Sequence, residues 1–144
     1  MENRIENLRK YMKEKNVDAM LVSSFSNIYY YSNFSSEDGL LLITNNGCYL
    51  FTDGRYTVQA KQECPLYKVN IISRSYSDSI KSVIDSETIK RIGFEEDLPY
   101  YRYNAFNNKW NVELVGLNIE SLKEIKDEEE ISRIRKACVI ADKC

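Results

Sequence analysis

A chain of 144 residues in which 43% are hydrophobic and 29% charged has the length and composition of one soluble folded domain, and no run of about 18 apolar residues occurs that would cross a membrane. Its 20 basic and 22 acidic residues are interleaved and nearly cancel, to a net charge of -2; no positive field is available to hold a phosphate backbone, which argues against nucleic acid as a partner. The sequence contains no histidine, so Ser-His and Cys-His nucleophile pairs and any histidine-containing metal site are excluded from this chain, and catalysis would have to rest on carboxylates, Lys or Tyr.

The opening segment 2–15 spaces Ile5, Leu8 and Met12 among charged neighbours, which predicts a helix, and 17–23 (VDAMLVS) reads as a short buried strand. The charged opening lacks a signal-peptide core, so a cytoplasmic location is expected. Ser26 can cap a short helix through Tyr29, Tyr30 and Tyr31, after which NFSSEDG is loop-like. Leu40–Thr44 and Cys48–Thr52 flank Asn45-Asn46-Gly47, the signal of an antiparallel hairpin. Asp53-Gly54 ends the second strand. A short helix through Tyr56, Val58 and Ala60 closes before Cys64-Pro65, and Lys68–Ile72 is the next strand.

Ser77 or Asp78 can cap a helix carrying Ile80, Val83 and Ile84, and Arg91–Phe94 reads as a strand running into Glu95, Glu96 and Asp97. Pro99 stands where a helix over 100–107 would begin, and Asn111–Val115 is the last strand. This order predicts an α/β fold, a mixed β-sheet flanked by helices. In the final segment Asp127 and Glu130 form a capping box, Ile131, Ile134 and Cys138 share a face, and no Gly or Pro stops the helix before Cys144. We therefore expect the natural polypeptide to continue, with a domain over 1–122 and the start of a linker helix over 123–144. The four cysteines, at 48, 64, 138 and 144, include no C-x-x-C pair and are expected to be reduced, with Cys48 and Cys138 as small core residues.

Three stretches, NIYYYSNFSSEDGLLLI at 27–43, YLFTDGRYTVQA at 49–60 and LKEIKDEEEISRIRKA at 122–137, together resemble the creatinase/prolidase-type N-terminal domain that precedes the pita-bread metallopeptidase domain of Xaa-Pro aminopeptidases and Xaa-Pro dipeptidases. The resemblance covers nearly the whole chain in order. It implies a ribonuclease H-like topology and a role without chemistry of its own: a parent hydrolase binding two divalent metals (Mn, Zn or Co) in a missing catalytic domain through two Asp, one His and two Glu, and acting on peptides. None of those ligands carries over to a residue here. The domain would contribute to a homodimer and restrict access to the parent's active site, and the D-G-R-Y and S-S-E-D-G stretches lean toward the aminopeptidase group.

Two segments are the candidate interface or substrate-access residues. In the first, Phe34, Ser35, Ser36, Glu37 and Asp38 form a loop that either faces solvent as a connector or, as in related enzymes, lies at the subunit interface near the partner's active site. In the second, Asp53 caps, Gly54 permits a tight turn, and Arg55 and Tyr56 either anchor the turn against the sheet or leave Arg55 to pair with a carboxylate of another subunit or domain. The many tyrosines suit packing or an interface. The acidic run at 95–97 raises a nuclease reading, against which stand the lack of a basic groove and of an acid within AMLVS; it reads instead as a solvated loop. A free-standing interaction or small-molecule-binding module remains the alternative function.

Overall fold

The computed structural model describes residues 1–143. Helix α1, Glu2–Glu14, buries Ile5, Leu8 and Met12, and it stops at Asn16, whose φ of 55° is the left-handed conformation that asparagine tolerates. The amides of Asn16 and Val17 then bond back to the carbonyls of Lys13 and Met12, which delivers the chain into strand β1, Ala19–Val22. Helix α2 spans Phe25–Ser32, strands β2 and β3 span Gly39–Thr44 and Cys48–Thr52, and a 3-10 turn at Gly54–Tyr56 leads into helix α3, Thr57–Glu63. Strand β4, Lys68–Ile71, helix α4, Tyr76–Ser86, strand β5, Arg91–Glu95, helix α5, Tyr100–Lys109, strand β6, Glu113–Leu117, a 3-10 turn at Glu120–Lys123 and helix α6, Glu128–Ala141, complete the chain.

The six strands form one mixed sheet in the order β4-β3-β2-β1-β5-β6. Only β2 runs against its neighbours; β1, β5 and β6 are parallel, as are β3 and β4. The expected α/β layering and ribonuclease H-like arrangement are therefore present. Side chains alternate across the central strands as the two-residue period requires. Met20, Val22, Leu41 and Ile43 point to the face covered by α1, α2 and α3, where Leu8, Ile28, Tyr31 and Ala60 pack. Ala19, Leu21, Leu40 and Leu42 point to the other face, covered by α4 and α5 through Ile80, Ile84, Phe106 and Trp110. Gly93 belongs to the sheet for want of space: a Cβ there would stand 2.6 Å from Leu117 and 2.9 Å from the Met20 sulfur.

Four local expectations are corrected. The last strand begins at Glu113 rather than Asn111, because α5 continues to Lys109 and Trp110 stacks on Phe106 at 4.3 Å while its indole N–H donates to the Ser77 carbonyl at 2.9 Å. The cap of α4 is Ser75, which accepts from the Asp78 amide. The cap position of α2 is Ser24, two residues before the expected one. Cys138 is exposed whereas Cys48 and Cys64 are buried; α6 buries none of its residues, so its apolar stripe has nothing within this domain to cover it. Among the described residues no helix is long and apolar enough to cross a membrane.

Candidate functional site

With only β2 reversed, the carboxyl ends of β1, β3, β4, β5 and β6 share one edge of the sheet with the amino end of β2. Open α/β sheets bind ligands along such an edge, in the crevice between neighbouring strands whose connections leave in opposite directions. Here that crevice lies between β1, whose chain departs toward β2, and β5, whose chain departs toward β6. It is filled from within. Glu95, the last residue of β5, is only 4% exposed. Its Oε2 accepts the Ser23 hydroxyl at 3.0 Å, the Ser24 amide at 2.8 Å and the Ser23 amide, and its Oε1 accepts the Ser24 hydroxyl at 2.8 Å and the Asn27 side-chain amide. The acceptor-only carboxylate meets only donors, two of them backbone N–H groups at the start of α2, where the helix dipole favours negative charge.

This corrects the reading of 95–97 as a solvated loop. Glu96 faces solvent, and Asp97 has its carboxyl pushed up by partial burial and then by the charge of Glu95. Glu95, however, is an internal strut. Asn27 also donates to Glu120 at 2.8 Å, so the same amide ties β5, α2 and the segment after β6 together. The sequence held one usable signal, the hydroxyl-rich Ser23-Ser24 pair directly after a buried strand, but the acid that answers it lies 71 residues or more away along the chain.

The two candidate segments are adjacent in space at the neighbouring part of the edge. Phe34, grouped with the loop from the sequence, is fully buried; it packs edge-on against Tyr56 at 6.3 Å and pins the loop to the body. Ser36 is also buried, and its hydroxyl accepts the Asp38 amide at 3.2 Å. Thr52 donates its hydroxyl to the Asp38 carbonyl, joining the end of β3 to the start of β2. Ser35 is exposed and donates its amide and hydroxyl to Glu63 at 2.9 and 2.8 Å, while Gln59 donates to the Ser35 hydroxyl at 2.8 Å. Glu37 is exposed.

Arg55 is the centre of the outward cluster. Its side chain is 71% exposed, with Nε 2.9 Å from Asp53 and Nη2 3.2 Å from Asp38. It does not anchor the turn against the sheet; Asp53 does the capping, accepting the Arg55 amide at 2.9 Å. That amide first, and the guanidinium second, hold the Asp53 carboxyl below the usual carboxylate range, and the Asp53 side chain in turn pushes Arg55 up. Beside them burial pushes the Tyr76 phenol up, with the charge of Asp38 next in weight, and the Arg102 guanidinium lies 5.5 Å from the Tyr76 ring. Gly54 has no positive φ, so the tight turn expected of it does not require glycine.

The residues at hand do not fit a pair of divalent metals. The chain has no histidine, the buried acid at the strand end is saturated by donors, and among the described residues no three His, Cys, Asp or Glu side chains come together to hold an ion.

Residues 4–125 match the family model of the creatinase/prolidase N-terminal domain. The chain belongs to this family. It is 32% identical to an Xaa-Pro dipeptidase of Pyrococcus horikoshii over 99% of its own length and 40% of that protein. An Xaa-Pro dipeptidase from Bacillus anthracis has a similar fold, with a TM-score of 0.92 at 29% identity over 97% of this chain and 40% of that one. The N-terminal domain of the cytoplasmic peptidase PepQ from Mycobacterium tuberculosis H37Rv superposes with a TM-score of 0.76 at 29% identity, over 84% of this chain and 98% of that one. The creatinase/prolidase N-terminal domain described here thus spans about 40% of the length of the curated relatives it matches.

Proposed function

We propose that this domain is the non-catalytic N-terminal part of a cytoplasmic Xaa-Pro aminopeptidase or dipeptidase, bounded near residue 122, with 123–144 beginning the linker to a C-terminal catalytic domain. That domain would carry the two divalent metals, Mn, Zn or Co, and the hydrolytic chemistry. The present domain helps the parent to dimerise and narrows access to its active site. The observation that carries this reading is the outward cluster of Asp38, Asp53 and Arg55, flanked by Ser35, Glu37 and Tyr56: a charged, rigidly supported edge next to a sheet whose own ligand crevice is closed. Arg55 offers a planar fork that can exchange an internal carboxylate for an external one. Peptides bearing a second-position proline are the substrates of the parent, and the edge works by sterics and by charge at the pocket's rim.

The competing reading, a free-standing interaction or small-molecule-binding module, needs an open crevice or another recess with convergent polar groups. The Glu95 strut closes the crevice between β1 and β5 to it, and leaves it the recess of about 620 Å³ beside Arg4, Tyr11, Tyr30 and Asp127. The test is to assay the chain alone and the chain joined to its natural C-terminal continuation with Xaa-Pro peptides and added manganese. Turnover is expected only from the longer protein, and Arg55→Ala in it is expected to raise KM more for longer peptides than for dipeptides. Metal-dependent hydrolysis by the 144-residue chain would overturn the proposal.

A further inference from the structure

Helix α6 leaves the domain with little packing to steer it. None of its residues is buried, and beyond Ile131 every described residue is exposed. What holds its first turn is a single arginine on α1. Arg4, with its side chain 15% exposed, donates Nη1 to the Tyr30 carbonyl of α2 at 3.0 Å and sends Nε and Nη2 to Oδ2 of Asp127 at 3.2 and 2.8 Å. Its Nη2 also lies 3.8 Å from Glu130, and the guanidinium stacks 4.2 Å from the centre of the Tyr30 ring. Asp127 divides its two oxygens: Oδ1 accepts the Glu130 amide at 2.8 Å and closes the helix, while Oδ2 is left for Arg4. One side chain therefore joins α1, α2 and the cap of α6.

We infer that Arg4 is a positioning residue that fixes the direction of α6 against the sheet, and thereby the placement of whatever domain the helix carries. The second half of this statement rests on the function proposed above; the first half does not. A planar, stacked guanidinium with its donors committed to two elements is stiff in a way that a lysine ammonium is not. Further along the helix, Arg133, its side chain 62% exposed, pairs with Glu129 of α6 itself, a surface pair that does little to hold the helix to the body. The lever is long: 14 residues at the helical rise extend about 21 Å, so a swing of about 10° at the first turn moves the far end by about 4 Å. Catalytic geometry tolerates displacements of only about 1 Å before rates fall by about a hundredfold.

Residual dipolar couplings on the 144-residue chain test the inference directly, since the corresponding domain of PepQ forms a structure by itself. In the unaltered chain the α6 amides share one alignment with those of β1 and β5. Arg4→Ala is expected to reduce the α6 couplings to about half or less through motional averaging of this junction, leaving the sheet couplings in place; Arg4→Lys is expected to do the same, and Arg133→Ala to leave them intact. Asp127→Ser keeps a capping hydroxyl and removes only the grip, so it should reproduce Arg4→Ala, and the double variant should go no further. Unchanged α6 couplings in both single variants would overturn the assignment, as would an equal loosening by Arg133→Ala. In the longer protein, Arg4→Lys should lower kcat by about tenfold or more at unchanged melting temperature. A longer protein without peptidase activity would overturn the functional reading alone, and the couplings would still decide the role of Arg4.

Discussion

Two acidic groups end neighbouring parts of the same sheet edge and face opposite ways. Glu95 closes β5 and turns inward, where five donors surround it, four from Ser23 and Ser24 in the link between β1 and α2 and one from Asn27 of α2. Asp53 follows β3 and turns outward, where it shares Arg55 with Asp38 in full contact with water. Both are carboxylates at strand ends, yet a buried charge survives only when its hydrogen-bonding capacity is filled, whereas an exposed one needs no partner at all. The inner group is therefore committed to architecture. The outer group is free to be re-paired, and that freedom is what a surface used by other subunits, domains or substrates requires.

The sharpest way to break this contrast is to remove the inner acid. Glu95→Ala removes the acceptor of the Ser23 and Ser24 amides and of three side-chain donors, Ser23, Ser24 and Asn27, and should cost roughly 3 kcal/mol or more of folding stability, read from the urea midpoint. Against a typical total of about 5–15 kcal/mol this is a severe loss. Glu95→Gln keeps the shape but turns an N–H₂ toward donors, so it should recover only part of it. An unchanged midpoint for Glu95→Ala would mean that the inner and outer acids do not differ as described.

A smaller effect is expected at the outer group. Arg55→Ala should leave the melting temperature within experimental scatter, because exposed pairs contribute little net stability. It should nevertheless be visible by NMR titration as a rise of the Asp53 carboxyl toward its ordinary value of 3.8, a partial rise because the backbone amide at position 55 remains. The sign follows from the lowered folded value: whatever Asp53 contributes is present above pH 3.8 and is lost as pH falls through its lower folded value, so the small difference between the unaltered chain and Arg55→Ala should be present at neutral pH and vanish in acid. A large loss of stability at neutral pH would move Arg55 to the architectural class.

What could be read in advance follows the same division. The α1 stripe of Ile5, Leu8 and Met12, the hairpin around Asn45-Asn46-Gly47 and the Asp127–Glu130 capping box are local patterns, and each matches the structure. The register of β6 was not local. Val112 and Leu114 alternate as well as Val115 and Leu117 do, and only pairing of Arg91 with Glu113 selects the frame. Glu95 was hidden for a related reason, since an Glu-Glu-Asp run looks solvated until the partner strand 71 residues or more away is known to present amides. The exposed Cys138 shows the converse: an apolar stripe specifies a helix face without saying that this domain supplies its cover. Arg4, in a charged opening helix, gave no sign of reaching Asp127 123 positions later.

The smallest predicted effect concerns Gly54, which stands beside the outer cluster in the expected tight turn. Glycine in D-G-R-Y permits the turn, but Gly54 has no positive φ, and a Cβ there would meet only Ile71 at an ordinary 3.6 Å. Nothing inside the domain therefore forbids alanine, and Gly54→Ala should stabilise the isolated chain by about 0.4–1 kcal/mol through the lost freedom of the unfolded state. Thermal unfolding of the single variant decides this. If the stabilised variant also impairs the longer protein, the space above Gly54 is used by a neighbour's backbone, and the outward edge is an occupied surface; if Gly54→Ala destabilises the isolated chain, the turn carries a constraint of its own and the division between inner architecture and outer freedom fails at this position.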